Sequence, residues 1–238
     1  MKTLGVIGGL GPMATAYFLQ LMTQMTDAAT DQNHIEVLIH SKPQIPDRTR
    51  FILGKSNKSP VPDMVAVGEA LAEQGAELLA IPCITAHFFQ KELEETIGVP
   101  IINAIEETVD YLRKHGCQKV GIMATDGTIE SGIFQQALEH GGIQVVVPGE
   151  AGQGKVMHLI YENVKAGRPL EYSLFEEVAE ELFAQGAQVI LLGCTELSLI
   201  KKEFVLAPGF LDVMEVLARK AVLSCAKLKE DYEELITH

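Results

Sequence analysis

Residues 69–85 read EALAEQGAELLAIPCIT, and residues 180–196 read EELFAQGAQVILLGCTE. Laid over one another without a gap, they match Leu71 to Leu182, Gln74-Gly75-Ala76 to Gln185-Gly186-Ala187, and Cys83 to Cys194. Each stretch predicts an amphipathic helix, a glycine that stops it, an apolar run long enough for a buried strand, and a cysteine where that strand turns into the next helix. The match continues outward. Residues 4–22 (LGVIGGLGPMATAYFLQLM) lie over residues 120–138 (VGIMATDGTIESGIFQQAL), pairing Gly5 with Gly121, Gly11 with Gly127 and Phe18 with Phe134. Pro100-Ile101-Ile102-Asn103 likewise lies over Gly209-Phe210-Leu211-Asp212.

The chain therefore reads as a duplication. Strands and helices alternate throughout, which predicts an α/β fold with parallel sheets flanked by helices. The expected arrangement is two pseudo-symmetric lobes, residues 1–103 plus 207–238 and residues 104–206, with the site in the cleft between them. Open parallel sheets place their sites beyond the carboxyl ends of the strands, so equivalent strand ends would supply opposite walls of one cleft, each carrying a thiol.

Composition excludes several classes. The 238 residues carry a net charge of −13, with 47% hydrophobic and 21% charged residues, so nucleic acid and anionic membranes are not expected partners. No apolar run approaches the roughly 18 residues of a membrane span. The N-terminus enters a strand pattern at once and lacks the features of a signal peptide. Four cysteines, Cys83, Cys117, Cys194 and Cys225, without paired Cys-x-x-Cys spacing, read as free thiols of a cytoplasmic protein. Between His40 and Pro62 periodicity is lost among four prolines, and this long loop has the character of a lid carrying Arg48, which as a plain surface residue would pair with Asp47. A strand is expected over residues 99–102, and the last helix over residues 212–235 with a fraying acidic tail.

A thiol in the first turn of a helix meets backbone N–H groups and the positive end of the helix dipole, which lowers its pKa. That position is expected for both Cys83 and Cys194, whereas Cys117 and Cys225 read as packing residues. Two thiols on opposite walls suit a reaction nearly symmetric about one carbon: one thiolate removes a Cα proton while the opposite thiol returns one. The carbanion beside a carboxylate then needs cations and hydrogen-bond donors, for which Arg48, Lys165, Thr85, Thr125, Thr128 and Thr195 are candidates, the hydroxyls doubling as potential helix caps. His87, four residues after Cys83, reads as an internal hydrogen-bonding group or as a residue that orients substrate.

GGLGPMAT at 8–15, KPQIPDRT at 42–49, PCITAH at 82–87, YENVKAG at 161–167 and GCTEL at 193–197 together resemble the cofactor-independent aspartate/glutamate racemases, most closely the aspartate racemases. The resemblance implies a racemase of aspartate, with glutamate as the alternative substrate, two pseudo-symmetric lobes, no cofactor, no metal and a homodimer. It implies Cys83 and Cys194 as the catalytic pair, Arg48 and Lys165 as carboxylate ligands, and Thr85, Thr125, Thr128 and Glu196 around the substrate. One position departs from the family pattern Pro-Cys-Asn-Thr-Ala-His, in that Ile84 stands where asparagine is expected.

Rival readings attach to the same residues. Gly9-Leu10-Gly11-Pro12-Met13-Ala14 fits a dinucleotide loop, although Pro12 removes an N–H and no acidic residue ends the second strand. Cys83, His87, Cys194 and Glu196 have zinc-ligand chemistry. Ile84 also motivates a non-catalytic dicarboxylate-binding protein, and a decarboxylase or cis/trans isomerase of small dicarboxylic acids is a further relative.

Overall fold

A computed structural model describes residues 2–238. The first half runs β1 (Leu4–Gly8), α1 (Pro12–Met25), β2 (Val37–Ser41), α2 (Arg48–Ile52), α3 (Val61–Glu73), β3 (Leu78–Ala80), α4 (Gln90–Ile97) and α5 (Ala104–Lys114). The second continues with β4 (Lys119–Met123), α6 (Asp126–Ser131), α7 (Ile133–His140), β5 (Gln144–Val146), α8 (Glu150–His158), α9 (Tyr172–Ala184), β6 (Val189–Leu192), α10 (Thr195–Glu203), β7 (Phe210–Asp212) and α11 (Val213–Cys225). One sheet has the order β2-β1-β3 and the other β5-β4-β6-β7, with every pairing parallel. The α/β fold with two parallel sheets is thus present. Among the described residues no helix is long and apolar enough to cross a membrane.

The duplicated identities have a shared packing cause. Gly75 and Gly186 both stop their helices with positive φ, 99° and 89°, which a side chain at Cβ would resist. Gly5 and Gly121, central in β1 and β4, let the preceding layer press onto the sheet. A Cβ on Gly5 would stand 2.9 Å from that of Ala76 and 3.3 Å from that of Leu71, and one on Gly121 3.4 Å and 3.1 Å from those of Ala187 and Leu182. The four residues matched by sequence therefore form the same helix-to-strand contact twice.

Strand alternation sorts the core into three clusters. Leu4 and Val6 from β1, with Val120 and Ile122 from β4, face a central helical layer that contributes Phe18, Leu112 and Leu217. Ile7 faces outward onto α3 in a second cluster, and Met123 onto α8 and α9 in a third. α5 leaves the first sheet to pack beside α7, while α11 leaves the second sheet and packs on α1 and α5. β7, which lies within residues 207–238, is paired to β6 of the second sheet.

Two expected elements change. The strand expected over 99–102 contracts to one bridge, Leu79 with Ile101, because only the Pro100 carbonyl and the Ile102 N–H bond β3. The last helix ends at Cys225 rather than near residue 235. Ala226 is extended, Thr26 and Leu228 form an antiparallel bridge, and the tail is docked: the Leu235 N–H donates to the Tyr111 hydroxyl at 2.7 Å, and Leu235 itself is buried. Pairing with the end of α1 satisfies backbone groups that continued helix would have taken.

Candidate active site

β3 delivers Cys83 to the N-cap of a 3-10 helix, Ile84–Phe89, and β6 delivers Cys194 to the N-cap of α10. Both are buried, and neither side chain caps its helix. The two thiols line one small cavity together with Arg48, Thr85, Thr125, Lys165, Thr195 and Glu196, all expected from sequence, with Ile84, singled out there as the departure from the family pattern, and with Leu10, Asp47, Thr49 and Tyr161, which were not placed in the site by sequence. Asp47 and Tyr161 were nevertheless inside two of the recognisable motifs, KPQIPDRT and YENVKAG. The free space among these side chains is about 10 Å³, roughly the room one water molecule occupies. A larger surface groove of about 470 Å³ lined by residues of α5 and α7 touches His87 but holds neither thiol.

Four hydroxyls join the halves at the floor of the cavity. Thr85 lies 3.0 Å from Thr125 and 2.9 Å from Thr128, and the Thr49 hydroxyl donates to that of Thr125 at 3.2 Å. Gly127 makes this approach feasible, since a Cβ there would stand 2.8 Å from the Cα of Thr49. Thr125 also caps α6 by accepting from the Thr128 N–H at 3.3 Å, so the capping role considered for Thr128 falls to Thr125. Thr128 reaches the cavity only through its hydroxyl neighbours.

Arg48 opens α2 behind its N-cap Asp47. It is not a surface residue paired with Asp47. Only 7% of it is exposed, and its guanidinium donates to the carbonyls of Leu10 at 2.7 Å, Pro46 at 3.0 Å and Ile45 at 3.4 Å. Its Nε is buried without a partner. Burial disfavours its charge, but Cys83, Asp47 and Glu196 more than compensate and raise its pKa. Asp47 instead accepts from the Arg50 N–H at 2.7 Å and from the Tyr161 hydroxyl at 3.2 Å.

Tyr161 and Lys165 come from a π-helical turn, Leu159–Val164, that extends α8; such turns are common at functional sites. The wider turn stacks the Lys165 ammonium 4.6 Å from the Tyr161 ring centre and brings it 3.6 Å from Oε1 of Glu196. Burial opposes its charge, yet Glu196, followed by Cys194, Tyr161 and Cys83, raises the Lys165 pKa above its usual value. The other Glu196 oxygen, Oε2, accepts from the Cys194 thiol at 2.9 Å and makes a longer contact of 3.5 Å with the Thr195 hydroxyl.

The expected lowering of thiol pKa fails at Cys194. Burial, followed by the negative charge of Glu196, pushes this thiol well above its ordinary value despite the helix N-terminus and Lys165. His87 lies outside the cavity lining: its Nδ1 is 2.8 Å from Oε1 of Gln90 and its Nε2 3.3 Å from the Ile81 carbonyl, and burial lowers its pKa. It is an internal hydrogen-bonding group, so the four zinc-type ligands do not converge. Among the described residues no cluster of three or more such ligands forms.

Two half-related strand ends that bring buried thiols, a cation pair and a hydroxyl floor to one pocket define a class, and comparison with known proteins agrees. The chain belongs to the Asp/Glu/Hydantoin racemase family, whose model matches residues 7–221. Among solved structures it is similar to the Picrophilus torridus aspartate racemase, with a TM-score of 0.83, 31% identity, and 98% of each chain covered. It is 26% identical over 225 residues to the broad specificity amino-acid racemase RacX of Bacillus subtilis, covering 92% of this chain and 96% of that protein. Against the glutamate racemase of Aquifex pyrophilus, identity is 31% over 159 residues, 65% of this chain and 58% of that protein.

Proposed function

We propose that this racemase is a cofactor-independent, two-thiol enzyme that interconverts L- and D-aspartate. The observation that carries the reading is the presence of Cys83 and Cys194, from equivalent turns of the duplicated fold, in the wall of one cavity. Similarity to an aspartate racemase over the whole chain supports the substrate. In the proposed step one sulfur, as thiolate, takes the Cα proton from one face, and the other, as thiol, gives its proton to the opposite face. The net result is one inverted centre and one proton moved between sulfurs, which exchange with solvent resets.

The surroundings of the two thiols divide the roles in the resting enzyme. Cys194 is held protonated by burial and Glu196, which makes it the donor in the first turnover. The acceptor role in that turnover then falls to Cys83, on the opposite wall. Lys165, the unpartnered Nε of Arg48 and the threonine hydroxyls then face the negative charge that develops on the substrate carboxylate.

Incubation with L-aspartate in D₂O tests this reading. Deuterium should appear at Cα and D-aspartate should accumulate, both lost in Cys83→Ala and in Cys194→Ala. Racemisation within about tenfold of the parent in either variant contradicts the two-thiol scheme, and absence of exchange in the parent contradicts the activity on aspartate.

A further inference from the structure

The inner cavity has space for about one water, and part of its wall is shared with a second, larger space. Leu10, Asp47, Arg48, Lys165 and Glu196 line it on one side and, on the other, line a chamber of about 330 Å³. The rest of that chamber is predominantly apolar: Met13, Ala14, Pro43, Ile45, Val164 and Leu199. The chamber is therefore the space next to the thiol cavity, on the far side of these five residues.

The charges at the neck of the chamber decide what kind of group fits. Lys165 is engaged by Glu196, while Arg48 gives Nη1 to the Ile45 and Pro46 carbonyls and one Nη2–H to the Leu10 carbonyl. Asp47 is engaged by the Arg50 N–H and the Tyr161 hydroxyl. Two cations and two anions thus balance at the neck, which gives a side-chain carboxylate no net attraction there. Ile84, also in the cavity wall, adds apolar surface and no donor. A neutral, extended side chain directed past these residues leaves no charge unpaired and gains apolar contact in the chamber.

Resting on the racemase reading above, we propose that the chamber is a side-chain pocket and that the enzyme also racemises amino acids with unbranched or γ-branched apolar side chains, of the size of methionine and leucine. The test compares Cα deuterium exchange from D₂O for L-aspartate, L-methionine and L-leucine in the parent protein, Leu199→Trp and Met13→Lys. Leu199→Trp fills the chamber. Met13 is 67% exposed at its edge, so Met13→Lys leaves the core alone while adding a cation that favours aspartate over an apolar side chain.

The parent should exchange both kinds of substrate, and each variant should lower the methionine-to-aspartate rate ratio by about tenfold or more, the usual value of a lost apolar contact in a fitted pocket. Exchange of aspartate without methionine or leucine overturns the side-chain pocket while leaving the racemase reading intact. Equal loss of both substrates in the two variants also overturns it, since the chamber would then be only a passage. Exchange of no amino acid at all overturns both readings together.

Discussion

Replacing Glu196 by glutamine keeps the shape of the side chain and removes the charge that binds Lys165 and holds the proton on Cys194. At 3.6 Å, opposite charges attract by about 5 kcal/mol at an effective dielectric near 20. The Lys165 side chain is 26% exposed, so water replaces part of this. The expected loss is about 2–3 kcal/mol, below the 3–5 kcal/mol typical of breaking a fully buried pair. For a chain of this length that corresponds to a fall in Tm of about 4–12 °C. At Cys194 the sign is opposite: without the neighbouring anion the thiolate forms more easily, and the pH profile of alkylation by iodoacetamide, read at Cys194 by peptide mass spectrometry, should move to lower pH. Adding Lys165→Met to Glu196→Gln should recover part of the lost Tm, because the unpaired cation is what destabilises the single variant. A single variant with unchanged Tm and an unchanged alkylation profile would refute the coupling of Glu196 to both neighbours.

Other perturbations follow from the same geometry. Cys83→Ala and Cys194→Ala should each lower racemisation by about 10²–10⁴-fold or more, the usual contribution of one positioned acid or base, as followed by chiral chromatography of the product. Gly127→Ala places a Cβ 2.8 Å from the Cα of Thr49, a backbone atom that cannot swing aside, and should cost about 1–3 kcal/mol in denaturant unfolding. Glu215, next to Asp212 and Lys201, is pushed up to about 7 from its ordinary 4.5, chiefly by burial and then by Asp212. Its folded form keeps the proton longer than its unfolded form, so the associated stability is present below about pH 4.5 and is lost as pH rises through 7. Glu215→Gln should flatten the dependence of Tm on pH between 5 and 8, and an unchanged slope would count against it.

The duplication was legible because the residues it preserves do the same physical work twice. Gly75 and Gly186 satisfy a left-handed helix stop, and Gly5 and Gly121 allow Leu71 and Leu182 to approach the sheet, so identity at those positions carries geometry. The π-helical turn under Tyr161 and Lys165 was not legible, since its apolar spacing over 159–164 differs little from that of an ordinary helix. The docked tail was missed for a related reason. Residues 226–238 look polar and helix-compatible, and contacts distant in sequence, with the end of α1, the Tyr111 hydroxyl and β7, dock them as short bridges and a single 3-10 turn. Arg48 lines the cavity that holds both thiols, but its bonds to three carbonyls depend on loop backbone that side-chain pattern does not encode.

Duplication equips both thiols with the same backbone position, so any difference between them has to come from side chains. The decisive one stands two residues after each cysteine: Thr85 in the first half, Glu196 in the second. Thr85 joins the hydroxyl floor, whereas Glu196 turns back onto the sulfur of Cys194. A reversible proton exchange through one carbon requires the two sulfurs to have similar proton affinity while substrate is bound, and at rest Cys194 holds its proton too tightly for that. An α-ammonium seated against Glu196 would draw its charge away from Cys194 and lower the affinity of that thiol. On the proposed mechanism the substrate itself therefore completes the symmetry of the site, and an amino acid would be turned over where the corresponding hydroxy acid, lacking the ammonium, would only bind.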